Sequence, residues 1–65
     1  MKEINCIIVD DELIAINRLE RLLMEHQYVK ILMKATDPEQ AFNAIIQKKP
    51  DLVFIDVENA SIIRN

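Results

Sequence analysis

Glycine is absent from this 65-residue chain, and cysteine occurs once. A lone cysteine, Cys6, excludes a disulfide framework. Set inside an apolar run, it reads as a reduced core thiol of the kind expected in the cytosol. No apolar run exceeds four residues, which excludes a membrane-spanning helix. The opening Met1-Lys2-Glu3-Ile4-Asn5 is too short and too polar for a signal peptide. The expected location is therefore cytoplasmic. A formal net charge of −3 argues against nucleic acid as a direct partner. Internal repeats, low-complexity stretches and linkers are missing too, so the reading is one small domain over residues 1–65.

What is present is apolar. Hydrophobic residues make up 51% of the chain and charged residues 29%. The charged share alone does not signal disorder. The apolar share is high for so small a body, which suits a piece of a larger core or a surface meant for a partner.

The apolar residues fall into five segments. Residues 4–9 contain Cys6-Ile7-Ile8-Val9, an unalternating run suited to a strand buried on both faces. Over residues 12–26, Ala15, Ile16, Leu19, Leu22 and Leu23 recur at helical spacing on one face. Asp10 or Asp11 can cap that helix and favour its positive end. Residues 29–35 alternate Val29, Ile31, Met33 and Ala35 with Lys30, Leu32 and Lys34. That period of two, with its lysines, suits an edge strand. Asp37 and Pro38 open a helix over 38–48, with Gln40 in the capping-box position and Ala41, Phe42 and Ile45 facing inward. Lys48 and Lys49 suit its negative end, and Pro50 stops it. Residues 51–56 hold Leu52-Val53-Phe54-Ile55, a second strand of the fully buried type, ending in Asp56. Residues 57–65 carry no clear signal; Ile62 and Ile63 could start a helix or extend a strand.

The order β-α-β-α-β implies an α/β fold with a parallel sheet and right-handed crossovers. Strand order 2-1-3 follows, with a helix on each face in a three-layer α/β/α arrangement. The winding direction reverses between the first and third strands, and open α/β sheets bind ligands beyond the carboxyl ends of strands at such a point. Asp10, Asp11 and Asp56 should therefore meet in one crevice. At roughly 5 Å and an effective dielectric of about 20, each like-charged pair costs about 3 kcal/mol. A site holding three carboxylates must take up a proton or a cation. Oxygen donors suit Mg²⁺, which keeps several waters and leaves room for a phosphoryl oxygen. A carboxylate beside such an ion can attack phosphorus and form an acyl phosphate.

These residues carry a resemblance. Ile7-Ile8-Val9-Asp10-Asp11-Glu12, followed by Ala15 and Leu19-Glu20-Arg21-Leu22-Leu23, is similar to the opening of response-regulator receiver domains of two-component systems. It looks most like receivers coupled to LytTR-type DNA-binding domains. Lys49-Pro50-Asp51-Leu52-Val53-Phe54-Ile55-Asp56 is similar to the family's third strand and phospho-acceptor. The resemblance implies a partial flavodoxin-like fold and a signalling module rather than an enzyme. Asp56 would accept phosphate from a sensor histidine kinase. Asp10 and Asp11 would hold Mg²⁺ with Asp56, and the backbone carbonyl of Glu58 would complete the metal site. Asn59-Ala60 stand where the family usually has Met-Pro, and Leu13 where the LytTR-linked branch commonly has proline. The family's two later strands, which bring a Ser or Thr and a Lys to the phosphate, and its DNA-binding output domain have no counterpart in these 65 residues. The expectation is a truncated receiver with impaired phosphotransfer.

Plainer readings stand beside these. Asp10 and Asp11 could only cap a helix, and Asp56 could only end a strand. Glu12 reads as a first-turn helix residue, His26 as a solvated residue near a helix end, and Met24 and Met33 as packing residues. Ile55-Asp56-Val57-Glu58 distantly resembles the Asp-x-Asp signature of haloacid-dehalogenase-like phosphatases, with Asp56 as nucleophile. A third reading is a non-phosphorylated interaction fragment, self-associating through an exposed third-strand edge or first-helix face.

Overall fold

The computed structural model describes residues 2–56. The chain runs β1 (Ile4–Val9), α1 (Leu13–Leu23), β2 (Val29–Ala35), α2 (Pro38–Lys48) and β3 (Leu52–Ile55). The three strands form one sheet in the order β2-β1-β3, with both pairings parallel. This is the strand order that the residue pattern implies and the partial flavodoxin-like α/β class that the resemblance implies. The expectations for residues 57–65 lie outside the described residues.

β1 is central, and its run Cys6-Ile7-Ile8-Val9 is buried throughout. Side chains along a strand point alternately to the two faces, so such a run needs cover on both. On one face Ile7, Val9 and Ala35 pack against Ala41 and Ala44 of α2, flanked by Leu32, Met33, Ile45 and Val53. On the other, Ile16 of α1 is as fully buried as Cys6 and Ile8. Fully burying one such isoleucine is worth roughly 1.5–3 kcal/mol. Burial also pushes the Cys6 thiol above its ordinary value, because desolvation penalises the thiolate. Cys6 is thus the inert core thiol expected of it.

β2 departs from simple alternation. Cys6 pairs with Ile31 but Ile7 pairs with Met33, so a bulge at Leu32 shifts the register. Before the bulge Ile31 shares the face of Cys6; after it Met33 and Ala35 share the face of Ile7 and Val9. The same shift carries Lys34 to the α1 side, beside Ile8. There its Nζ donates to Glu20 Oε1 at 3.1 Å. One inserted residue thus explains why Leu32 and Met33 both pack against the α2 cluster, which a period of two cannot do.

α2 has a well-built start and stop. Asp37 accepts from the Gln40 N–H at 3.1 Å, with Pro38 at the first helical position. Lys49 closes the helix in the left-handed region (φ 49°), its N–H donating to the Ile45 carbonyl. With no glycine in the chain, a lysine takes the conformation that glycine usually supplies.

Several expectations need correction. Phe42 does not face inward: it is 62% exposed, and Ala44 takes the inner position instead. Leu22 and Met24 are also exposed, and α1 ends at Leu23 instead of running to residue 26. β3 spans Leu52–Ile55, not 51–56, and is half-exposed instead of fully buried. As an outer strand of this sheet, it has neighbours on one edge only among the described residues. Glu12 takes the N-cap position of α1 without a side-chain cap bond; of the two expected caps, Asp10 serves the helix head from two residues further out, through the Glu12 N–H, and Asp11 does not.

Candidate metal and phospho-acceptor site

The site lies at the carboxyl ends of β1 and β3. Val9 pairs with Ile55, so the next residues, Asp10 and Asp56, are neighbours by register. Both are tied down by the backbone just past the strand ends. The Asp10 N–H donates to the Ala35 carbonyl at 3.0 Å, and the Asp56 N–H donates to the Val9 carbonyl at 3.3 Å. Adjacent strands lie about 4.8 Å apart, so residues in register deliver their carboxylates at close to that spacing. Asp11 reaches the same place from the loop leading into α1.

The result is one acidic cluster. Asp10, Asp11 and Asp56 each offer a carboxylate oxygen, and the three oxygens lie within 4.8 Å of one another. Asp10 and Asp56 are half-buried and Asp11 is exposed. Asp10 Oδ1 also accepts from the Glu12 N–H at 2.9 Å. That bond fixes the Asp10 carboxylate and satisfies one N–H at the head of α1. A carboxylate has about four lone-pair positions, so coordination capacity remains. The positive end of α1 begins at the cluster and partly offsets its negative charge. Asp10 and Asp56 border a cleft of about 190 Å³ with Ile8, Ala15, Leu19 and Phe54 as its apolar floor. Phe54 and Ile8 read in the sequence as ordinary strand core; their second role as cleft floor depends on the pairing of β1 with β3.

The donor set fits a hard divalent cation. Octahedral Mg²⁺ binds oxygen at about 2.0–2.1 Å, which puts opposite ligands about 4.2 Å apart. Oxygens within 4.8 Å of each other can therefore surround one ion, with one or two touching it and a water bridging to the rest.

The other singled-out residues fall elsewhere. Glu58, expected to offer its carbonyl to a metal, lies outside the described residues. Glu12 sits at the helix cap and His26 is exposed beside Tyr28, its Nδ1 lying 3.5 Å from the Tyr28 hydroxyl. Asp51 works at the opposite end of the sheet. Its Oδ2 accepts from the Asn5 N–H at 2.8 Å, and its own N–H donates to the Asn5 carbonyl at 2.8 Å. This clamp starts β3 in register with β1. Its only sequence signal is an acid directly before an apolar run, which does not reveal the partner.

No helix among the described residues is long and apolar enough to cross a membrane. No family model matches, and no solved structure matches. The chain is 36% identical over 52 residues to the sensory transduction protein LytT of Bacillus cereus, covering 80% of this chain and 21% of that protein. It is 36% identical over 55 residues to a response regulatory protein of Shewanella oneidensis, covering 85% of this chain and 23% of the relative. A protein-glutamate methylesterase/protein-glutamine glutaminase of Geobacter sulfurreducens is 33% identical over 58 residues, covering 89% of this chain and 16% of that protein. The chain thus spans about a fifth of the length of the first two curated relatives. Strand order and these relatives converge on a receiver domain: the chain matches response regulators over 80–91% of its own length.

Proposed function

We propose that Asp56 is the phospho-acceptor of a cytoplasmic protein, working with a Mg²⁺ ion held by Asp10, Asp11 and Asp56, and that a sensor histidine kinase is the donor. The single observation behind this reading is the gathering of the three carboxylate oxygens within 4.8 Å at the carboxyl end of the sheet. A bound divalent cation supplies charge neutralisation for the phosphoryl oxygens.

The chain's own residues do the rest. An Asp56 carboxylate oxygen forms a bond to phosphorus while the bond from phosphorus to the donor breaks. The electron pair leaves with the donor, an imidazole nitrogen in a kinase or an acetate oxygen in acetyl phosphate. The product on Asp56 is an acyl phosphate. Asp56 suits the attack because its backbone is anchored to Val9 while its side chain borders the cleft. Asp10 is held in orientation by the Glu12 N–H and so meets incoming cations without reorganising. The likeness to LytT proteins supports placing the chain in a LytTR-linked regulator.

The test is incubation with acetyl phosphate, with and without Mg²⁺, followed by intact-mass measurement and peptide mapping. One phosphoryl group on Asp56, dependent on Mg²⁺ and lost in Asp56→Asn, is the expected result. An adduct that survives Asp56→Asn contradicts it. Steady turnover of phosphomonoesters would favour the haloacid-dehalogenase-like alternative.

A further inference from the structure

α2 turns an unusual stripe to solvent. Its buried side is Ala41 and Ala44 with half-buried Ile45. At 3.6 residues per turn, the solvent-facing flank carries Glu39, Phe42 and Ile46, continued by Lys49 at the helix end. Phe42 is 62% exposed and Ile46 56% exposed, and Glu39 and Lys49 are exposed at the two ends. The spacings of three and four residues place Glu39, Phe42 and Ile46 along one line of the helix, with Lys49 just beyond its carboxyl end. The line is acidic at its amino end, apolar in the middle and basic at its carboxyl end.

Such a line is complementary to itself when reversed. We propose that α2 is a docking surface for a second copy of this chain, packed antiparallel across a two-fold axis. Phe42 then meets Ile46 of the other copy, and Glu39 meets Lys49, each contact occurring twice. Charge complementarity selects this surface over the other exposed apolar ones. An antiparallel pairing of β3 with itself that matches Leu52 to Ile55 sets Asp51 against Asp56. A self-pairing of α1 that matches Ile14 to Leu22 sets Arg18 against Arg18. Of these three surfaces among the described residues, α2 alone brings opposite charges together around its apolar centre. Two apolar side chains per copy make a small interface, below about 1,200 Å², so the dimer is weak and transient.

The test is sedimentation equilibrium of the 65-residue chain up to millimolar concentration, with thermal melts to verify folding of each variant. Wild type dimerises reversibly. Phe42→Ala raises the dissociation constant about tenfold or more, with an unchanged melt because the side chain is exposed. Glu39→Lys alone and Lys49→Glu alone each weaken the dimer, since like charges then meet at both ends. Mixing those two variants restores association, because each now carries the charges the other lacks. A wild type that stays monomeric overturns the proposal. So does a dimer indifferent to Phe42→Ala and to the charge exchange, which would assign association to another surface such as the β3 edge or α1.

Discussion

α1 and α2 cover opposite faces of one sheet, and they are held there differently. α2 is specified locally: Asp37 caps it, Pro38 starts it, and Lys49 closes it in a left-handed turn. It spreads its packing over Ala41, Ala44 and Ile45 against a cluster drawn from all three strands. α1 has no side-chain cap bond and no acid in its first turn, and Ile16 is its single buried residue. Its head is tied instead to Asp10, through the Glu12 N–H. The helix least supported by its own sequence is thus the one coupled to the acidic cluster. Scaffold and site are divided between the two layers.

Deleting packing breaks this comparison most strongly. Ile16→Ala should cost about 2–4 kcal/mol, seen as a lowered urea midpoint, and a chain this small has little stability to lose. Ile45→Ala, at a half-buried position that shares its load, should cost about half as much. Equal losses would mean that the two layers are built alike.

Caps come next. Asp37→Ala should destabilise by about 1 kcal/mol, whereas Glu12→Ser should stabilise by roughly 0.5–1 kcal/mol by giving α1 the cap bond it lacks. Thermal melts of the two variants should therefore shift in opposite directions. Lys49→Gly should add about 0.5 kcal/mol by relieving the positive φ.

The smallest effect concerns the tie between Lys34 and Glu20. Their side chains are 43% and 34% exposed, so Glu20→Gln should cost less than about 0.5 kcal/mol. That loss should vanish at high salt. A larger or salt-insensitive loss would show that this bridge, not Ile16, holds α1 to the sheet.

The contrast also explains what could be read in advance. Features encoded by neighbouring residues were legible: the unalternating run of β1, the Asp37-Pro38 start of α2, and the element order. From these the strand order and the meeting of Asp10, Asp11 and Asp56 follow by topology alone. Features that depend on distant partners were not legible. The bulge at Leu32 arises from fitting β2 against β1, and nothing around residues 31–33 marks it. Phe42 fits an inward helical position by hydrophobicity, yet the closely packed Ala41 and Ala44 turn it to solvent. Asp51 looks like part of a strand-entry motif, but its partner is the Asn5 backbone, 46 residues away.

The most direct test of the central claim is titration of the chain with Mn²⁺, a paramagnetic stand-in for Mg²⁺, followed by two-dimensional amide NMR. The account predicts saturable broadening centred on residues 9–11 and 55–56 together, competed by Mg²⁺ and weakened in Asp11→Asn. Broadening spread over the acidic surface, or confined to one strand end without the other, would contradict it.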